Sequence, residues 1–171
     1  FRKAPPTGAL WADCRTRRCA AAWFNIMKMR RDFVDTEAGQ LHFIANGRTE
    51  TGKATLVMIP QMSALEQIPL MEAVGDRPMV AIDPIGLGDS DPTPWDSPTM
   101  EDHAATLLAA LSALNIDRFD VYGSHFGARA ATEMAVMASD RVSHVVLDGA
   151  GHLEEPFRSE LLEKYAPPMQ I

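Results

Sequence analysis

The chain has 171 residues, of which 46% are apolar and 23% are charged, and its formal net charge is −7. This length allows one domain with a sizeable core, or part of a larger one. The acidic balance argues against a nucleic-acid partner, because no excess of Lys and Arg exists to neutralise phosphates. No apolar run reaches the roughly 18 residues that a membrane-spanning helix needs, so we expect no membrane partner.

The first residues differ in composition from the rest of the chain. Residues 1–28 begin without Met, are rich in Arg, Ala and Pro, and contain both cysteines, Cys14 and Cys19. We expect this segment to be a non-native or disordered extension, with the native start at Met27 or Met29. Two cysteines without a neighbouring histidine form neither a disulfide framework nor a zinc site, so we expect free thiols in a reducing cytoplasm.

Residues 29–151 show the patterns of a folded α/β core. Three strands are predicted in the first half of this region: one at Leu41–Gly47, from alternating apolar and polar residues before an Asn-Gly turn signal, and two from apolar runs at Ala54–Pro60 and Pro78–Pro84. Both runs are continuously apolar, as is typical of strands buried on both faces. Between them, "SALEQIPLMEAV" predicts a helix over 63–74 that Pro69 interrupts or shortens.

The second half of the core alternates helix and strand. "SPTMEDHAATLLAALSALNI" predicts a helix that begins after a Thr99 cap, with Asp102 three residues on. It is followed by a short strand, "FDVYG", a second amphipathic helix, "GARAATEMAVMAS", and a fourth buried strand, "RVSHVVLDGA". This alternation predicts an α/β fold with a mostly parallel sheet and flanking helices.

Two glycines bracket a Ser-His pair where the "FDVYG" strand gives way to a helix. The segment Gly123-Ser124-His125-Phe126-Gly127 has the glycine spacing of a G-x-S-x-G turn. "DPIGLGDSD" precedes this turn and "VVLDGA" follows it. Together, residues Asp32–Gly151 resemble the α/β-hydrolase fold family. Its loop after the fourth strand, its nucleophile turn and its sixth strand match these three segments in order.

Steric demands decide the register of the turn. Strand and helix nearly touch there, so the positions two before and two after the central residue must be small. With His125 in the centre these positions are Gly123 and Gly127, whereas with Ser124 in the centre two large aromatic residues would clash. We therefore predict His125 at the nucleophile point, where neutral imidazole can act as a nucleophile or a general base.

The resemblance implies further residues of a site. One oxyanion donor would be the backbone N–H of Phe126. The other would be the backbone N–H of Met62, which follows the Ala54–Pro60 strand, the third strand in the family's order. Gln61 beside it and Ser124 are further candidates for binding. Asp148, at the end of the sixth strand, is a candidate acid partner, with a structural role in its loop as the alternative.

The remaining polar residues are interpreted as structural. Asp83 and the glycine-rich segment 86–90 are predicted to shape the loop after the fourth strand, through positive φ and local turn bonds. His42 and His144 fall on predicted strands. His103 follows the helix cap and is predicted to lie at the surface.

In the α/β-hydrolase family the histidine of the catalytic triad follows the eighth strand. This sequence is expected to stop after the sixth strand, with residues 152–171 beginning a cap or lid, so we expect a truncated α/β-hydrolase fold. The resemblance implies a hydrolase of small organic esters, amides, lactones or related bonds, without a metal or cofactor. A catalytically silent ligand-binding module and a cofactor-free lyase with His125 as base are the alternatives. The sequence leaves the oligomeric state open.

Overall fold

The computed structural model describes residues 29–48 and 52–151, together with Pro156 and Ser159. The described residues form six strands, β1 (Arg30–Thr36), β2 (Gly39–Ala45), β3 (Thr55–Ile59), β4 (Met79–Ile82), β5 (Phe119–Ser124) and β6 (Val142–Asp148). They also form a 3-10 helix (Ala64–Gln67) and three α-helices, α1 (Ile68–Val74), α2 (Met100–Ala113) and α3 (Phe126–Met137). The predictions of an extension over 1–28 and of a cap segment over 152–171 lie outside the described residues, Pro156 and Ser159 apart.

The strands form one sheet in the order β1-β2-β4-β3-β5-β6. β2 pairs antiparallel with β1 and with β4, whereas β4, β3, β5 and β6 are mutually parallel. The prediction of a mostly parallel sheet with flanking helices is therefore confirmed. Because parallel strands point the same way, the loops after β3, β4, β5 and β6 all lie at one edge of the sheet.

Each face of the sheet carries its own apolar cluster. On one face α2 and α3 bury residues such as Leu107, Leu111 and Met134 against β3, β4 and β5. On the other face the 3-10 helix and α1 cover a smaller cluster that includes Met58 and Met71. Burial on both sides explains why β3 and β4 have continuously apolar sequences.

The cap of α2 forms as its sequence predicts. The Thr99 hydroxyl accepts the backbone N–H of Asp102 at 3.2 Å, and the Asp102 carboxylate accepts the backbone N–H of Thr99 at 2.8 Å. These reciprocal bonds satisfy two donors at the helix end. Pro69 lies in the first turn of α1, after the 3-10 helix, where its missing N–H costs no hydrogen bond. The predicted single helix over 63–74 is therefore divided in front of Pro69.

Strand β1 is not predicted from its sequence. Its side chains are mostly exposed, and of its seven residues Val34 alone is buried. β1 is an outer strand that pairs with β2 alone among the described strands. One buried side chain is too few to produce the apolar alternation by which a strand is predicted.

The prediction that the strand over 141–150 is buried is wrong. β6 forms, but among the described residues it pairs with β5 alone, and six of its seven residues are exposed. Val145, Val146 and Leu147 are 39%, 53% and 44% exposed. An apolar run indicates a strand that could be buried, but the neighbouring elements decide whether it is.

Candidate active site

The loops at the carboxyl edge of the parallel strands form the candidate active site. β3 has β4 on one side and β5 on the other, so the chain crosses over in opposite directions from β3. In an open parallel sheet, such a reversal leaves a crevice at the carboxyl ends of the strands, which is where ligands bind. The residue that follows β5 at this point is His125.

The turn from β5 to α3 is centred on His125. Its backbone has φ 51° and ψ −105°, and His125 is one of two non-glycine residues with positive φ among those described. A Cβ on Gly123 would overlap the carbonyl oxygen of Gly127, and a Cβ on Gly127 would overlap the carbonyl oxygen of Ile59. The chain can therefore make this turn only with glycine at both flanking positions.

The two polar residues of the turn point into different surroundings. His125 is exposed, whereas Ser124, the last residue of β5, is only 8% exposed. The backbone N–H of His125 donates to the carbonyl oxygen of Asp148 at 2.8 Å, which fixes the turn to the end of β6. The imidazole lies so close to Gly149 that a Cβ there would be 2.7 Å from its Cε1 atom. Imidazole, and not the serine hydroxyl, is thus the side chain presented to solvent.

A concave site of about 350 Å³ opens beside this imidazole. The described residues that line it are His125, Phe126, Arg129, Gly149 and Gly151. The sequence motifs do not indicate Arg129, because the turn pattern ends at Gly127. The available signal was its position in the first turn of the helix that begins directly after His125.

Asp148 has a partner other than His125. Its carboxylate accepts the hydroxyl of Tyr122 at 2.9 Å. Burial of the Tyr122 hydroxyl, together with its bond to the negative Asp148, raises the pKa of Tyr122. The geometry therefore shows Asp148 in a bond between β5 and β6, and its role as an acid partner stays a prediction.

The loop after β3 lies against the start of α3. A Cβ on Gly127 would be 2.8 Å from the carbonyl oxygen of Pro60, the residue just before Gln61 and Met62. Both of those side chains are exposed, Met62 at 57%. Phe126 is the first residue of α3, so its N–H has no acceptor within the helix. The proposed oxyanion pair, Phe126 and Met62, stays a prediction that this arrangement permits.

Asp83 joins three neighbouring segments behind the site. Its buried carboxylate accepts hydrogen bonds from Nδ1 of His42 at 2.8 Å and from the backbone N–H of Asp89 at 2.9 Å. It also accepts a hydrogen bond from the backbone N–H of Ala64. A Cβ on Gly88 would overlap this carboxylate. The structural roles predicted for Asp83 and His42 thus match their contacts, which hold the loops after β3 and β4 against β2.

The prediction that His103 lies at the surface is wrong. It is 6% exposed, and its ring meets the Phe126 ring edge-on with centroids 5.0 Å apart. Burial lowers the pKa of His103, and the nearby Asp102 carboxylate offsets this only in part. Its Nδ1 is buried with no hydrogen-bond partner among the described residues. The position after a helix cap indicated exposure, but α3 packs over this turn of α2.

One group among the described residues has the composition of a metal site. The ligand atoms of His42, Asp83 and Asp89 lie within 4.8 Å of one another. The Arg31 guanidinium already donates to Nε2 of His42 at 3.4 Å and to Asp89 at 3.0 Å. This group is therefore accounted for by hydrogen bonds within the protein.

Among the described helices, none is long and apolar enough to cross a membrane.

The strand order and the glycine-flanked turn after β5 define an α/β fold with a candidate site at the carboxyl ends of its parallel strands. A family model described as the alpha/beta hydrolase fold matches residues 55–168, which is more than half of the chain. The chain belongs to this family.

Relatives of known kind agree with this assignment. Over 120 residues the chain is 31% identical to a 2-hydroxy-6-oxononadienedioate/2-hydroxy-6-oxononatrienedioate hydrolase of Paraburkholderia xenovorans, a match that covers 66% of this chain and 40% of that protein. Two esterase structures from Bacillus subtilis share the fold. Carboxylesterase CesB has a TM-score of 0.67 at 18% identity, over 86% of this chain and 54% of its own. Naproxen esterase has a TM-score of 0.66 at 21% identity, over 94% and 57%.

The chain spans about half the length of these relatives or less.

Proposed function

We propose that this chain carries the nucleophile-side part of a hydrolase site for small organic esters, amides, lactones or related bonds. His125 is the reacting residue, and the backbone N–H groups of Phe126 and Met62 receive the oxyanion. The family assignment supports hydrolysis as the reaction class. The bond type is inferred from the chemistry that a solvent-facing imidazole can perform.

One observation carries this proposal. The only side chain that the turn presents to solvent at its centre is the imidazole of His125, and both flanking glycines are sterically required. A positive φ at a residue with a side chain is costly, by about 1–3 kcal/mol, and such strain persists where the surroundings enforce it. Here the enforcing contacts are the backbone of Ile59 and the bond to Asp148.

A neutral imidazole can bring about hydrolysis by two routes, as a nucleophile or as a general base. A ring nitrogen with a free lone pair adds to the acyl carbon, and the bond from that carbon to the leaving oxygen breaks. The leaving oxygen takes the proton that the acylated ring releases from its other nitrogen, and it departs as an alcohol. Water then adds to the acyl carbon of the acyl-imidazole, releasing the carboxylic acid and regenerating His125. Alternatively, His125 removes the proton from a water that attacks the same carbon directly.

The start of α3 supports stabilisation of the negative charge that forms. The N–H of Phe126 is free of the helix ladder, and the loop that contains Met62 follows the strand end that touches Gly127. Backbone donors depend on position and not on side-chain identity. The absence of a His-Gly pair before Met62 is therefore compatible with this role.

Ligand binding without turnover is the second candidate function, and one contact favours it. The Asp148 carboxylate accepts from Tyr122, and no described residue donates to or accepts from the His125 ring. A catalytic imidazole is normally oriented by a partner on its second nitrogen. A site with an unoriented imidazole would bind a ligand and leave it intact.

The test is hydrolysis of p-nitrophenyl butyrate by the whole chain, compared between the unmodified protein and His125→Ala. Removing a nucleophile or general base should lower kcat/KM by at least about 100-fold. Mass spectrometry after incubation with the ester should find a butyryl adduct on His125 if imidazole attacks directly.

The matched control is His144→Gln, which removes an exposed imidazole on β6, near the amino end of the sheet. It should leave hydrolysis unchanged. Equal activity of His125→Ala and the unmodified protein would refute the catalytic assignment. A ligand that binds at the site and is recovered unchanged would establish the binding module in its place.

A further inference from the structure

The concave site beside His125 contains an unexplained cation. Of the described residues that line it, Arg129 is the only one with a permanent charge, and none of them carries a carboxylate. The other lining residues are an imidazole, an aromatic ring and two glycines. A chain with a net charge of −7 therefore places a guanidinium in the cleft where its reacting residue lies.

Arg129 lies in the first turn of α3, directly after the turn that is centred on His125, and both residues line the site. His125 precedes the helix and Arg129 is its fourth residue, so about one helical turn of chain separates them. Side chains on a helix lean toward its amino end, so the Arg129 side chain extends in the direction of the turn. Arg129 and His125 thus contact the same small volume from two directions.

Arg129 is not used in the fold of the described residues. No described carboxylate or carbonyl forms an ion pair or hydrogen bond with it. Glu133 lies one turn further along α3, yet the two form no ion pair, and the Asp148 carboxylate is bonded to Tyr122. By contrast, Arg31, Arg77 and Arg141 are all bonded within the protein.

We propose that Arg129 binds the carboxylate of the substrate, and that the substrate is a short-chain ester or related acyl compound with a second, free carboxylate. A guanidinium binds a carboxylate through two parallel N–H bonds, which fixes orientation as well as providing attraction. A carboxylate at Arg129 leaves the acyl carbon, a few bonds away, beside His125. This inference rests on the proposed function for the position of the acyl carbon, whereas carboxylate binding by Arg129 stands independently.

The test compares two ligands of the same shape. Monomethyl glutarate carries a carboxylate, and methyl glutaramate replaces that carboxylate with an uncharged amide. Binding to the whole ¹⁵N-labelled chain is measured by NMR titration, with the amide signals of Phe126 and Gly127 as reporters. We expect the carboxylate to bind about fivefold more tightly than the amide, since the site is open to water and the pair is partly screened.

Two variants locate the source of this preference. Arg129→Gln should reduce the affinity ratio to about one, within error. Arg118→Gln is the matched control: it removes the same charge from an exposed arginine at the amino end of β5, about 20 Å from the site by strand length. The affinity ratio should be unchanged in this control. In the unmodified protein and in Arg118→Gln, which both retain Arg129, the affinity ratio should fall when salt is raised from about 0.05 to about 0.5 M.

Equal affinity for the two ligands, no binding of either, or an unchanged ratio in Arg129→Gln would each overturn the proposal. Inorganic phosphate binding as tightly as the monoester would also overturn the carboxylate assignment. His125→Ala separates this inference from the proposed function. Loss of hydrolysis with the affinity ratio intact supports both, whereas unchanged hydrolysis in His125→Ala refutes the proposed function and leaves the result at Arg129 valid.

Discussion

Substitution of Gly127 by alanine tests the packing on which the position of His125 depends. A Cβ at this position would overlap the carbonyl group of Ile59 and would lie 2.8 Å from the carbonyl oxygen of Pro60. All of these are backbone atoms of the strand end and the loop after β3, so no side-chain rotation can relieve the overlap. The start of α3 must instead move away from the end of β3.

The expected cost follows from two opposing effects. Overpacking of a tightly packed interior costs about 1–3 kcal/mol. The clash here is with backbone atoms, which cannot rotate away, so the cost belongs at the upper end of that range. Gly127 is also in the first turn of α3, where replacing glycine with alanine returns up to about 1 kcal/mol of helix propensity. We therefore expect Gly127→Ala to lower the free energy of unfolding by about 2 kcal/mol.

Urea unfolding followed by circular dichroism measures this change as a shift in the midpoint at constant slope. The control is Gly151→Ala, where an added Cβ meets nothing within 4 Å and φ is not positive, so its stability should be nearly unchanged. If Gly127→Ala were as stable as the unmodified protein, the close approach of β3 and α3 would be refuted. Glycine would then not be required at this position, and residues other than His125 could occupy the centre of the turn.

Two further predictions concern pH. Because burial lowers the pKa of His103, the unfolded chain binds a proton more tightly, so stability falls as pH drops below the ordinary value of 6.5. His103→Phe should lose less stability between pH 8 and pH 5, and an identical loss in both proteins would contradict the buried position. For Asp120, burial acts to raise the pKa, but hydrogen bonds from Arg77 and His144 outweigh it and the pKa is lowered. Its contribution is therefore present above the ordinary value of 3.8 and is lost as pH falls through the lower folded pKa. Asp120→Asn should be less stable than the unmodified protein at pH 7 and should approach it near pH 3, as measured by thermal unfolding; a constant difference would contradict this.

Features that depend on neighbours along the chain were predictable. The cap of α2 is formed by Thr99 and Asp102, three residues apart, and its two hydrogen bonds form as predicted. The buried strands β3 and β4 follow from continuous apolar runs. Local sequence is sufficient in these cases because the interacting atoms are brought together by the geometry of one helix or one strand.

Features that depend on contacts between elements were not predictable in the same way. His103 and Phe126 are 23 positions apart, and their contact exists only because α2 and α3 pack side by side. The bond from Tyr122 to Asp148 requires the pairing of β5 with β6. No periodicity within a single element carries information about which side chain of another element will face it.

The sequence by itself determined the register of the turn, because two glycines four apart leave a single central position that is sterically allowed, and His125 occupies it. It also determined the α/β alternation, since apolar periodicity distinguishes strand from helix. Only the tertiary structure decided that the imidazole shares an open cleft with Arg129, that Asp148 bonds to Tyr122, and that β6 exposes its apolar side chains. These outcomes depend on how separate elements pack, and the free energy of that packing is set by contacts between residues far apart in the chain.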